Sequence, residues 1–116
     1  MAATDSSRSA LVAADDDSFE EEIRDSERTV LVYFWANWCG PCRALGPILE
    51  QLASEHATTL KVVKVNSDES IRTAIAYQIL AVPTMKVIRD GTVVRTIVGA
   101  KPKPALEFEL AAYLTR

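Results

Sequence analysis

From Thr29 to Ala36 the chain reads TVLVYFWA, β-branched and aromatic residues without polar alternation. A strand with one face in water alternates apolar and polar positions. A strand that does not alternate is covered on both faces, and in a small chain this calls for helices on either side of a sheet. Cys39 and Cys42, the only two cysteines among 116 residues, follow almost at once. Behind them Leu45, Ile48, Leu49 and Leu52 recur at helical spacing, predicting a helix from Cys39 to about His56. The cysteine pair therefore sits at the junction of a buried strand and a long helix. Pro47 lies inside that helix, removes one backbone donor and should kink it.

The flanking pattern repeats this unit. Ala10 to Ala14 reads as a short edge strand. Asp17 with Glu20 resembles a capping box for a helix beginning near Ser18, with Phe19 and Ile23 on its apolar face. A loop over Asp25 to Arg28 leads into the buried strand. Leu60 to Val65 reads as a strand and Glu69 to Tyr77 as a helix. Thr84 to Ile88 and Val93 to Val98 form strands joined at Asp90-Gly91, a strong hairpin signal. Pro104 to Leu114 closes with a helix carrying Leu106, Leu110, Tyr113 and Leu114 inward. Alternation in the first half implies parallel strands with right-handed crossovers, and the hairpin adds antiparallel ones.

Length and composition restrict the function classes. A chain of 116 residues, 48% hydrophobic and 25% charged, is one globular domain. Thirteen basic against sixteen acidic residues leave a net charge of −3, which argues against nucleic acid or an anionic membrane as a partner. No apolar run has the length of a membrane span. Residues 1–9 read as a polar, disordered lead, and residues 10–116 as the domain. No export signal is read, so the expected location is cytoplasmic, where a lone close cysteine pair is more often redox-active than structural.

The spacing of the pair points the same way. Closing so short a ring constrains the unfolded chain by only roughly 2 kcal/mol. A structural zinc site wants four ligands, and only His56 remains as a typical partner. With Cys39 at the helix start, its sulfur faces unsatisfied N–H groups and the positive end of the helix dipole, which favour thiolate over thiol. Cys42 lies one turn inside, on the same face and expectedly deeper. Cys39 then attacks a substrate disulfide, and Cys42 resolves the mixed disulfide. Gly40 keeps the approach open, Pro41 stiffens the first turn, and Trp38 gives an apolar wall.

Taken together, VLVYFWANWCGPC over Val30 to Cys42, Pro47, Val82-Pro83-Thr84, Gly91 and Gly99 resemble the thioredoxin family over residues 10 to 115. The resemblance implies an α/β thioredoxin fold, a five-stranded mixed sheet of order 1-3-2-4-5 flanked by four helices. It implies a cis peptide bond before Pro83, close to the cysteines, with Val82 offering backbone groups to an extended substrate. Trp38, Gly40, Pro41, Val82, Pro83, Thr84, Gly99 and Ala100 would line or support the contact surface. It further implies a monomeric protein-disulfide reductase, or redox carrier with a catalytic dithiol, recycled by thioredoxin reductase. NADPH and flavin would act only through that partner, with no cofactor or metal on this chain.

One position departs from the family. Thioredoxins usually carry a buried Asp six residues before the first active-site cysteine, paired with a Lys on the next strand. Here the Lys is kept as Lys64, but the Asp position holds Tyr33. A phenol is a poor base at neutral pH, so slower turnover is expected, although Tyr33 can still donate, accept or relay through water. Gly46, unusual inside a helix, is expected to clear space for the larger ring. Two rival readings stand beside the reductase: an oxidant or isomerase of the same fold, and a binding module whose redox cycle is incidental.

Overall fold

The computed structural model describes residues 9–24 and 27–115. The proposed disordered lead therefore lies outside the described residues apart from Ser9, as do the first two residues of the loop expected over 25–28. Five strands, β1 (Val12–Ala14), β2 (Thr29–Trp35), β3 (Leu60–Asn66), β4 (Thr84–Arg89) and β5 (Thr92–Val98), form one sheet of order β1-β3-β2-β4-β5. β1 and β2 pair with β3 in parallel, while β2–β4 and β4–β5 are antiparallel. Four α-helices are described: α1 (Phe19–Glu22), α2 (Gly40–Glu55), α3 (Ile71–Ala76) and α4 (Lys103–Leu110), the last followed by a 3-10 turn at Ala111–Tyr113. Among the described residues no helix is long and apolar enough to cross a membrane.

β2 is the central strand, and the missing alternation is explained by cores on both of its faces. Leu31 and Tyr33 point toward α2 and α4, into a cluster with Leu45, Leu49, Leu52, Met85, Ile97, Leu106 and Leu110. Val30, Val32 and Phe34 point the other way, toward Phe19 and Ile23, with Tyr77 packed beside them. Tyr77 meets Phe19 edge to face with ring centroids 5.1 Å apart. β4 and β5 turn at Asp90 and Gly91, whose φ values of 52° and 80° are the left-handed pair a two-residue hairpin needs.

Helix starts differ from the local pattern. α1 has four residues, and Asp17 does not cap it. Instead the Asp15 carboxylate accepts the N–H groups of Asp17 at 2.9 Å and Ser18 at 3.0 Å, and the Ser18 hydroxyl accepts from Asp15 N–H at 3.0 Å. Asp16 reaches across to α3, where it accepts from the N–H of Thr73 at 2.8 Å, from its hydroxyl at 2.6 Å and from Arg72 N–H at 3.2 Å. Both carboxyls are held below the usual range: Asp15 mainly by the Ser18 N–H, Asp16 mainly by the Thr73 hydroxyl. At the other end of α2, His56 is half-buried, and its Nε2 is buried without a hydrogen-bond partner among the described residues. Lys103 Nζ lies 2.9 Å from Glu55 and 3.3 Å from Glu107, so the charge those carboxylates face is an ammonium.

Candidate active site

Cys39 occupies the N-cap of α2 in an extended conformation, φ −86° and ψ 107°, and Pro41 follows in the first turn. The sulfur takes the capping role usually filled by an oxygen: Cys39 Sγ accepts the Cys42 N–H at 3.2 Å. Cys39 and Cys42 are joined as a disulfide with Cα atoms 5.3 Å apart, so this is the oxidised form. The two cysteines are 3% and 4% exposed, so Cys42 is no deeper than Cys39; what separates them is position on the helix, cap against interior. Gly40 and Pro41 lie exposed over the pair, and a Cβ added at Gly40 would meet nothing within 4 Å. This leaves a flat, open approach.

The loop before β4 carries a second group of the expected site residues. The Val82–Pro83 peptide bond is cis, Pro83 is buried, and Val82 is half-buried against both cores. Among the described residues Val82 makes no backbone hydrogen bond. Two contacts shape the loop. Gly99, at φ 93°, donates its N–H to the Pro83 carbonyl at 2.9 Å, and the Thr84 hydroxyl donates to the Ala81 carbonyl at 2.6 Å. Thr84 is buried and braces the loop from beneath, while Ala100 is exposed beyond Gly99. Trp38 is 69% exposed, yet its indole N–H is fixed on Asp68 Oδ2 at 2.8 Å. Asp68 had no signal in the local sequence, since thirty residues separate the two partners.

Tyr33 is 4% exposed on the α2 side of β2 and donates its hydroxyl to the Cys42 carbonyl at 2.9 Å. Burial pushes its phenol up to about 12, so at neutral pH it is a proton donor and not a base. Lys64 is its partner in the parallel β2–β3 register. Among the described residues no carboxylate pairs with Lys64. Tyr33, Lys64 and Cys42 share a cleft of about 800 Å³ that is also lined by Leu11, Trp35, Ala36, Asn37, Arg43, Gly46, Pro47 and Glu50. The expectation that Gly46 makes room for the tyrosine ring is corrected here: a Cβ at Gly46 would meet nothing within 4 Å. Glu50 accepts from Ala10 N–H at 2.7 Å and from the Ser9 hydroxyl, which ties the segment before β1 to α2.

A two-residue spacer with one cysteine at a helix N-cap forms a pair that can exchange one disulfide for two thiols. Comparison with known proteins agrees. Residues 10–112 match the thioredoxin family. The chain is similar to thioredoxin of Mycobacterium tuberculosis, 45% identical over 108 residues that cover 93% of each chain. It is also similar to thioredoxin of Bacillus subtilis, 49% identical over 98 residues covering 84% of this chain and 92% of that one. Thioredoxin of Streptomyces clavuligerus is 50% identical over 91 residues, 78% of this chain and 84% of its own. With strand order, cysteine spacing and sequence all in agreement, the chain belongs to the thioredoxin family and is a thiol–disulfide oxidoreductase.

Proposed function

We propose that this chain reduces disulfides in protein substrates, with Cys39 as nucleophile and Cys42 as resolving residue. The observation that carries the assignment is the cap: Cys39 Sγ receives the Cys42 N–H at 3.2 Å at the positive end of a 16-residue helix. In the reduced state that environment stabilises a thiolate on Cys39 over the neutral thiol. The thiolate attacks one substrate sulfur, the Cys39–substrate bond forms, the substrate disulfide breaks, and the departing sulfur takes a proton. Cys42 then loses its proton and attacks Cys39 Sγ, which releases the second substrate thiol. Two electrons have passed to the substrate, and Cys39–Cys42 is a disulfide again.

The substrate lies extended over Gly40 and Pro41 and pairs with the backbone of Val82, with Trp38, Gly99 and Ala100 at its margins. Pro83 and Thr84 shape that edge from beneath. Thioredoxin reductase restores the dithiol with electrons from NADPH, passed through the reductase's flavin. This chain acts as a cytoplasmic monomer and holds no cofactor or metal. A coupled assay with NADPH, thioredoxin reductase and an insulin-type substrate tests the reading. Cys39→Ser abolishes turnover, and Cys42→Ser accumulates a covalent mixed disulfide visible by mass. Catalytic turnover by the Cys42 variant would sink the two-step assignment.

A further inference from the structure

We propose that the cleft beside Cys42 is a binding site for a small basic oxyanion, which seats against Lys64 and accepts the Cys42 proton during resolution. The proposal rests on the assignment of Cys42 as resolving residue and names how that step is completed in a chain with tyrosine at position 33. Resolution needs a proton acceptor near Cys42, and positioned acceptors commonly supply about 10²- to 10⁴-fold in rate. The protein groups around the cleft do not fill this role. The Tyr33 hydroxyl already donates to the Cys42 carbonyl at 2.9 Å, and burial keeps it protonated. Glu50 lies eight residues along α2 from Cys42, roughly 12 Å in helix rise, and is held there by the Ala10 N–H at 2.7 Å.

The cleft that Cys42 lines carries two cations, Lys64 and Arg43, against the one carboxylate of Glu50. Lys64 lines it without a carboxylate partner among the described residues, and Arg43 lines it while reaching the Asn37 carbonyl at 3.5 Å. A half-buried ammonium without a counter-ion attracts an anion from solution more strongly than a free one does. A cleft of about 800 Å³ is large enough to admit a hydrated oxyanion. The step balances: the proton passes from Cys42 Sγ to the oxyanion, the Cys42–Cys39 bond forms, and the Cys39–substrate bond breaks. The departing substrate sulfur takes a proton from the protonated anion or from water. Lys64 acts here as a positioning residue.

Inorganic phosphate at neutral pH is the probe. Reduced protein is mixed with excess disulfide substrate in a stopped flow, and the phase independent of substrate concentration reads resolution. Ionic strength is held constant with potassium chloride, whose anion is not basic. The expected result is a resolution rate that rises about twofold for each doubling of phosphate at low concentration, then saturates. Lys64→Gln loses most of that slope, and Lys64→Arg keeps it. Tyr33→Asp, which brings its own base, loses the phosphate dependence while resolving at least as fast as the wild type. Resolution by the wild type that is indifferent to phosphate overturns the proposal, and slowing by Glu50→Gln in that case assigns the proton to Glu50. Failure of Cys42→Ser to trap a mixed disulfide is a separate result and removes the resolving role itself.

Discussion

Tyr33 occupies the place where the family resemblance leads one to expect a carboxylate, and its chemistry is that of a donor. Its hydroxyl binds the Cys42 carbonyl, so the side chain holds the first turn of α2 instead of exchanging protons with the sulfur. Tyr33→Asp is expected to raise the disulfide-reduction rate near neutral pH, by up to about 10²-fold for a gained general base. The check is insulin reduction by a folded variant, and an equal or slower rate contradicts it. Tyr33→Phe removes only the hydroxyl and should cost about 1 kcal/mol in urea unfolding. The phenol also sets an alkaline limit. Its folded value, about 12, lies above the ordinary 10, so the folded chain keeps a proton that the unfolded chain gives up. Stability is full below the unfolded value and falls as pH rises between the two. Tyr77, pushed up by burial and then by Glu20, adds to the same trend. Urea midpoints measured across that range should fall in the wild type and fall less in Tyr33→Phe.

At the scale of elements, the ends were harder to read than the spans. β2 was legible because six buried residues in a row, followed by a half-buried seventh, leave no polar alternation. The long helix was legible through its apolar stripe, which continues past Pro47 because that residue faces solvent. The start of α1 was not, because Asp15, Asp16 and Asp17 offer three equivalent carboxylates to any local rule. Only the fold separates them: one closes its own turn, and one caps α3 from 57 residues away. That cap gives an acid-side prediction. Asp16 is held below the ordinary carboxylate range, so the stability it contributes is present above that range and is lost as pH falls through its folded value. Asp16→Asn should lower the urea midpoint at neutral pH and flatten its decline in acid. A variant whose decline in acid matches the wild type would remove Asp16 from that role.

Across the whole molecule, two cores clamp the sheet and leave the cysteines at one end of it. Leu45, fully buried one turn beyond Cys42, belongs to the α2 core, and Leu45→Ala should cost about 2–5 kcal/mol. A calorimetric loss well under 1 kcal/mol would show that α2 does not depend on that packing. The cysteine pair at the helix start was readable in advance because Cys39, Gly40, Pro41 and Cys42 are contiguous, and family likeness supplied the cis bond before Pro83. Contacts that join distant segments were not: Asp68 under Trp38, Gly99 on the Pro83 carbonyl, and Glu50 on the segment before β1. These are products of closure, and no spacing in the chain announces them. The cleft is such a product too, and its lining shares no residue with the face made by Trp38, Gly40, Val82 and Pro83. The sulfur pair thus has two doors, one for electrons and one for protons. A bulky client pressed against the first leaves the second open, so the size of what is reduced need not govern how quickly the reaction can finish.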